Sequence, residues 1–263
     1  MRPNDLPPTL TASYEGNIAL LRLSRPDKRN ALDDATVMAL RRYFEAIPDG
    51  VGAVVIHGEG PHFCAGLDLT AVKEMASAFE GIVHSQMWHA AFNAIQLGRV
   101  PVVSVLHGAV VGGGMEIAAS THIRVAETSA YYGLPEGQRG LFLGGGGSVR
   151  IPRLIGLSRV QDMMLTGRTL SAEEGQSIGI SQYLVAPGEG LAKARDLAHK
   201  IARNAPMTNF AVMHALPRIA ESDPATGYFT ESLMAAIAET TPEAQQRLRD
   251  FLEKRAAKVT RGS

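Results

Sequence analysis

The chain has 263 residues, with 26 Lys+Arg balancing 26 Asp+Glu, so its net charge is zero. That balance excludes a global electrostatic pull toward nucleic acid or a membrane surface, and any anionic ligand must be held by local groups. A single cysteine, Cys64, excludes an intramolecular disulfide and a cysteine-built zinc site, while 45% hydrophobic residues supply enough apolar mass for a core.

Residues 1–8 are polar and proline-rich and read as a frayed tail. They lack the apolar centre of a signal peptide and an arginine–serine transit pattern. No apolar run reaches the ~18 residues that span a bilayer. The expectation is a soluble, cytoplasmic protein that touches no membrane. Residues 10–14 and 18–23 are apolar-alternating runs around Glu15-Gly16-Asn17, which predicts a β-hairpin. The polar loop RPDKRNALDD follows. Asp33 or Asp34 then caps a helix carrying Val37, Leu40, Phe44 and Ile47 at helical spacing, closed by Pro48 and Gly50. Residues 52–57 (GAVVIH) predict a buried strand running into the loop GEGPHFCAGLDL. Helical patterns cover residues 70–98, with a break at Gly81. The second segment sets Met87, Ala91, Ala94 and Ile95 on one side and includes Trp88 and Phe92.

Residues 101–106 predict a second buried strand, 113–120 a helix and 122–126 a third strand. Ser148 and Ser158 read as helix N-caps. Ser171 with Glu174 fits a capping box, and residues 182–185 form a last strand. Residues 189–204, 207–220, 225–239 and 243–258 all read as helices separated by prolines, the last capped by Thr241 with Pro242 at its first position. The expectation is an α/β core over residues 1–188 and an all-helical region over 189–263.

Familiar nucleotide and nucleophile motifs are missing. GGGME lacks the spacing of a dinucleotide fingerprint, no P-loop is present, and GGSVR lacks the final glycine of a nucleophile elbow. His84 and His89 are five apart and fall on different helix faces, so no metal site is expected. What stands out is the stretch 107–147. It holds two glycine runs, 112–114 and 144–147, and among its glutamates Glu116 and Glu136 stand beside apolar residues and close to those runs. The first run lies between a strand and a helix, where unpaired N–H groups carry partial positive charge. That arrangement suits an oxyanion hole, and a tight turn would account for the glycines as well. Two carboxylates near apolar backbone suit acid–base work. The alternatives are a helix-dipole partner for Glu116 and a solvated turn for Glu136.

The ordered segments RPDKRNAL (25–32), FCAGLDL (63–69), PVVSVLHGAVVGGGMEIA (101–118), GLPEGQRGLFLGGGGSVRIPRLIG (133–156), LTGRTLSAEEGQSIGI (165–180) and FLEKR (251–255) together resemble the crotonase, or enoyl-CoA hydratase/isomerase, superfamily. The resemblance covers nearly the whole chain. It implies a spiral of repeated ββα units with a C-terminal helical trimerisation region, in a homotrimer or homohexamer. It implies an acyl-CoA thioester substrate and no separate cofactor, since coenzyme A belongs to the substrate. By motif position the oxyanion hole falls on the backbone N–H groups of Leu67 and Gly113. Glu116 and Glu136, 20 positions apart in GGGxE and PE, become the base on a water and the donor of a proton to the α-carbon. The backbone N–H of Gly144 is placed against the reacting region. Coenzyme A is expected along residues 63–69, with Ala65, Gly66, Leu67, Asp68 and Gly112 near it, and Lys28 and Lys254 toward its phosphates.

Two positions depart from the family pattern, and a third, Cys64, stands where the family varies. Leu143 stands where a proline is common. His122 replaces a common aspartate and reads as a satisfied structural histidine. Cys64 reads as a small buried residue. Trp88 and Phe92 fall where the acyl pocket is often lined, and helix packing accounts for them equally. The leading reading is an enoyl-CoA hydratase. An isomerase needs only the carboxylate at position 136. A hydratase-lyase on an aromatic enoyl-CoA is kept open by Tyr131 and Tyr132. A dehalogenase needs an aspartate nucleophile that residues 133–147 do not contain. A non-catalytic scaffold or an RNA-binding member of the same fold is the reading from another class. The neutral charge speaks against RNA, and the two glutamates speak against an inactive scaffold.

Overall fold

The computed structural model describes residues 6–70, 77–253 and 255. β1 (Leu10–Glu15) and β2 (Ile18–Leu23) form the expected hairpin, paired from Leu10↔Leu23 to Glu15↔Ile18. Asp33 caps α1 (Asp34–Glu45), accepting from Thr36 N at 2.8 Å and Thr36 Oγ1 at 2.7 Å. β3 (Ala53–Gly58) follows, then α2 (Ala78–Gln96), β4 (Val102–Leu106), β5 (Ala109–Val111), α3 (Gly113–Ser120), β6 (Ile123–Glu127) and β7 (Tyr131–Gly133). The first compact unit is completed by α4 (Gly147–Ile155), α5 (Leu157–Thr166), β8 (Leu170–Ser171), α6 (Ala172–Ser177), β9 (Tyr183–Val185) and α7 (Gly190–Ala202).

Two sheets result. The larger has the order β1-β2-β3-β4-β6-β9, parallel throughout after the hairpin, and the smaller has the order β5-β7-β8. The central strands are buried on both faces, which is why they read as continuous apolar runs. Alternate residues serve two cores. Ile18, Leu20, Ala53, Val55, Val103 and Val105 pack with Ala194, Leu197 and Ala198 of α7. Leu21, Val54, Ile56, Val102 and Leu106 face the opposite way, into the core shared with α1, α2 and α3.

Four expectations are corrected. Helix α2 begins at Ala78 and runs through Gly81 without a break, while residues 71–76 of the expected helical stretch lie outside the described residues. A glycine inside a helix costs about 1 kcal/mol, and burial of Trp88, Ala91, Phe92 and Ile95 outweighs it. Those four form the inward face, with Met87 and Ala94 only flanking it. Ser148 and Ser158 are not caps; Gly146 and Gly156, with φ of +90° and +84°, precede the helices instead. The first compact unit extends to Ala202, past the 188/189 boundary, because α7 closes the second core. The capping box at Ser171 and Glu174 is present, with both reciprocal bonds made.

Residues from Arg203 form a second, all-helical unit. It comprises α8 (Pro206–Phe210), a π-helical turn (Ala211–Ala215), α9 (Leu216–Glu221), α10 (Pro224–Glu239) and α11 (Pro242–Leu252). Asp223 and Thr241 cap the last two, each followed by proline at the first helical position.

Candidate functional site

The loop after β3 is pinned on both sides. Cys64 N donates to Ala109 O at 3.0 Å, and Val111 N donates to Cys64 O at 3.1 Å. Leu32 N donates to Gly66 O, and Asp68 N to Leu32 O, both at 2.8 Å. Ala65 N is taken by Arg29 O at 2.9 Å. This pattern spends every N–H around Leu67 and leaves that of Leu67 itself without a protein acceptor among the described residues. Gly113 opens α3, so its N–H also has no acceptor within the helix.

The two segments touch backbone to backbone. A Cβ at Gly66 would lie 2.9 Å from Gly113 N, and one at Gly113 would lie 3.4 Å from Leu67 N. Gly112, at φ +53° and ψ −120°, turns the chain from β5 into α3 in a conformation that side chains resist. Gly114 lets α3 lie against the Cys64 carbonyl, which a Cβ would meet at 2.2 Å. The first glycine run therefore brings two unsatisfied donors to one place.

The second run has a different job. Glu116 Oε1 accepts from Gly145 N and Gly147 N, each at 2.8 Å. A Cβ at Gly147 would stand 2.7 Å from Glu116 Cγ, so only glycine admits the carboxylate. Burial pushes the Glu116 carboxyl above the usual range; the Gly147 and Gly145 N–H groups and the Arg150 charge act against that. Glu136 ends the Leu134-Pro135 turn and leads into a 3-10 turn, Gly137–Arg139. Its Oε2 is buried without a hydrogen-bond partner. Burial, and then the charge of Glu116, raises its carboxyl as well, with Arg139 opposing. Burial thus moves both carboxyls toward the protonated form relative to an exposed glutamate.

Leu67, Gly113, Glu116 and Glu136 border one cavity of about 660 Å³. Of the expected site residues, Ala65, Gly66, Leu67, Gly112, Gly113, Glu116, Glu136 and Gly144 line it. Lys28 and Asp68 do not. Lys28 is exposed at the end of the 3-10 turn Pro26–Lys28. Asp68 is buried and committed elsewhere: it accepts from Thr70 Oγ1 at 2.6 Å and Thr70 N at 3.0 Å and pairs with Arg25 at 2.7 Å. Those Thr70 bonds, with Arg25, hold its carboxyl below the usual range. Lys254 lies outside the described residues.

The cavity also includes His84, Asp34, Leu141 and Phe142, to which the sequence assigns no site role. His84 Nε2 lies 2.8 Å from Asp34 Oδ1, and Trp88 Nε1 donates to the same oxygen at 3.3 Å. Leu141, Phe142 and Leu143 supply apolar wall. Trp88 lines the cavity, whereas Phe92 is fully buried behind it with the rings edge to face at 5.6 Å. Tyr131 and Tyr132 do not line it; they belong to β7. His122 is structural, with Nδ1 accepting from Val102 N and Nε2 bonding Gln96 O, both at 3.0 Å. Cys64 is fully buried, and burial pushes its thiol up to about 12.

The model of the family described as enoyl-CoA hydratase/isomerase matches residues 13–261. A short-chain-enoyl-CoA hydratase of Clostridium acetobutylicum is 32% identical over 92% of this chain and 93% of its own length. The 2,3-dehydroadipyl-CoA hydratase of Escherichia coli is 30% identical over 94% and 96%. A crystal structure of a Rhodopseudomonas palustris protein assigned as an enoyl-CoA hydratase superposes with a TM-score of 0.93 at 55% identity, covering 97% of this chain and 98% of that one. With the α/β core, the helical C-terminal unit and the cavity between glycine turns all in place, this chain belongs to the enoyl-CoA hydratase/isomerase family of enzymes.

Proposed function

We propose that this protein adds water across the 2,3 double bond of an enoyl-CoA thioester. The observation that carries the reading is the convergence of two free N–H donors and two glutamate carboxyls on one cavity. The thioester oxygen binds to the N–H groups of Leu67 and Gly113. Ionised Glu116 takes a proton from water as its oxygen bonds to C3. The C2–C3 π electrons move toward the thioester and place negative charge on that oxygen. Protonated Glu136 then gives its proton to C2, and the carbonyl re-forms. One water is consumed and a 3-hydroxyacyl-CoA leaves. The proton taken by Glu116 and the one lost by Glu136 are exchanged through solvent. A preorganised donor aimed at a developing oxyanion contributes ~3–4 kcal/mol.

The coenzyme A portion follows residues 63–69, with the backbone of Ala65 and Leu67 on the adenine side. Lys28 serves its phosphates from outside the cavity, Lys254 does so by its motif position, and Asp68 supports the loop through Arg25 rather than meeting the ligand. Water addition of this kind needs no further cofactor. The exposed apolar side chains of the helical unit, among them Phe210, Tyr228, Phe229 and Phe251, support its use as the contact surface of a cytoplasmic homotrimer or homohexamer. An isomerase needs only Glu136, and the two dedicated N–H donors on Glu116 favour the two-carboxylate reading. The aromatic hydratase-lyase loses its basis in Tyr131 and Tyr132, which stand outside the cavity. A panel of aliphatic and aromatic enoyl-CoA thioesters, followed by loss of the enoyl absorbance and by product mass, tests the proposal. A mass gain of one water on an aliphatic member is expected; a moved double bond without water uptake would make the enzyme an isomerase.

A further inference from the structure

Helix α2 carries Ser85, His89, Asn93 and Gln96, at spacings of four, four and three, so one face holds all four polar side chains. The proposed chemistry uses none of them, yet each is tied to the glycine loop. Ser85 Oγ donates to the Gly144 carbonyl at 2.6 Å and lies 3.3 Å from His89 Nε2. With its own proton committed to Gly144, the serine oxygen accepts from His89, which makes Nε2 the protonated ring nitrogen. Gln96 Oε1 accepts from Arg150 Nε at 2.6 Å, and Asn93 Oδ1 from Arg150 Nη2 at 2.5 Å. Arg150, buried on α4, donates Nη1–H to the Gly145 carbonyl at 3.0 Å.

These bonds fall on the peptide units that matter. The Gly144 carbonyl and the Gly145 N–H belong to one planar peptide. Ser85 fixes one edge of that plane, and the other edge holds Glu116 Oε1. Arg150 fixes the next plane. A run of four glycines has little steric preference of its own, so its peptide planes stay aimed at Glu116 only if something outside the run holds them.

We propose that the polar face of α2 orients two successive peptides, Gly144–Gly145 through Ser85 and Gly145–Gly146 through Arg150, and thereby positions the Glu116 carboxylate. This rests on the hydratase reading of Glu116. Ser85 and Arg150 are positioning residues; His89, Asn93 and Gln96 hold them. The charged and titratable groups around Glu116 are Arg150 from α4, Glu136 from the turn after β7 and, beyond Ser85, His89 from α2.

The test uses the full chain with Ser85→Ala, Ser85→Thr and Arg150→Lys. The lysine keeps the charge and loses the fork that spans three acceptors. Two readouts are taken: hydration of crotonyl-CoA against pH, and titration of Glu116 by carbon-13 NMR of glutamate-labelled protein, with the signal assigned by Glu116→Gln. Ser85→Ala is expected to lower kcat about tenfold with KM nearly unchanged, and Arg150→Lys to lower it up to about a hundredfold. Both shift the acidic limb of the kcat profile and the Glu116 titration to higher pH, since weakened N–H donors favour the protonated carboxyl. Ser85→Thr restores most of the loss. A folded Ser85→Ala with wild-type kcat and an unmoved Glu116 signal overturns the proposal, even if its melting temperature falls. If Arg150→Lys does not fold, Ser85→Ala decides alone. A wild-type protein that hydrates no enoyl-CoA would refute the hydratase reading, and the NMR titration would still decide the positioning role.

Discussion

Alanine at Gly112 separates the geometry of the site from the stability of the fold. Gly112 sits at φ +53° and ψ −120°, a region that costs a side chain about 1–3 kcal/mol. Its new Cβ would stand 2.8 Å from Glu136 Oε1. To regain ordinary van der Waals distance, the carboxylate oxygen must retreat by about 0.6 Å. Displacements approaching 1 Å in a reacting group cost up to about a hundredfold in rate, so a loss of at least about tenfold in kcat is expected. Gly16→Ala is the control, because Gly16 has φ +58° in the β1–β2 turn and nothing within 4 Å of its Cβ position. It should lose about 1 kcal/mol of stability and no activity. Thermal melts and crotonyl-CoA hydration on the two variants distinguish the effects. A folded Gly112→Ala enzyme with wild-type kcat would refute the contact between this turn and the catalytic carboxyl.

Other consequences are open to measurement. Burial raises the folded-state carboxyl of Glu136 above its ordinary value of 4.5; the native state therefore holds this proton more tightly than the unfolded chain. Stability is lost as pH rises from about 4.5 through the raised folded value. Glu136→Gln should accordingly melt higher than wild type at neutral pH, and the gap should close as pH falls toward 4.5. A gap independent of pH would contradict the burial argument. Lys28→Ala should raise KM for the thioester a few-fold, about 0.5–1 kcal/mol for an exposed charge, with kcat unchanged and the effect fading in high salt. Equal KM values at low salt would remove Lys28 from the binding account. Cys64 should resist iodoacetamide in the native protein and react on unfolding, since its thiol is buried and pushed up to about 12.

Much of this architecture is legible in the sequence where local signals and tertiary packing agree. The hairpin, the helix over 113–120 and the Ser171–Glu174 box all follow from alternation, glycine turns and caps. The small sheet escapes, because strands of three, three and two residues are too short to show a period. Gly81 misleads, because long-range burial of Trp88 and Phe92 overrides a local helix breaker. The two glutamates and the first glycine run are visible as motifs. The second run is visible too, but its role as a cradle is not: Glu116 meets Gly145 and Gly147 from 29 and 31 residues away. The His84–Asp34 contact joins residues 50 apart, and no pattern along the chain announces it.

The central claim is that Glu116 and Glu136 divide the proton work of hydration around a thioester held by Leu67 and Gly113. Steady-state hydration of crotonyl-CoA by Glu116→Gln and Glu136→Gln, with thioester binding measured separately, tests it most directly. Each variant is expected to bind the thioester near the wild-type affinity and to lose about 10²–10⁴ in kcat. Wild-type turnover by either variant would contradict it.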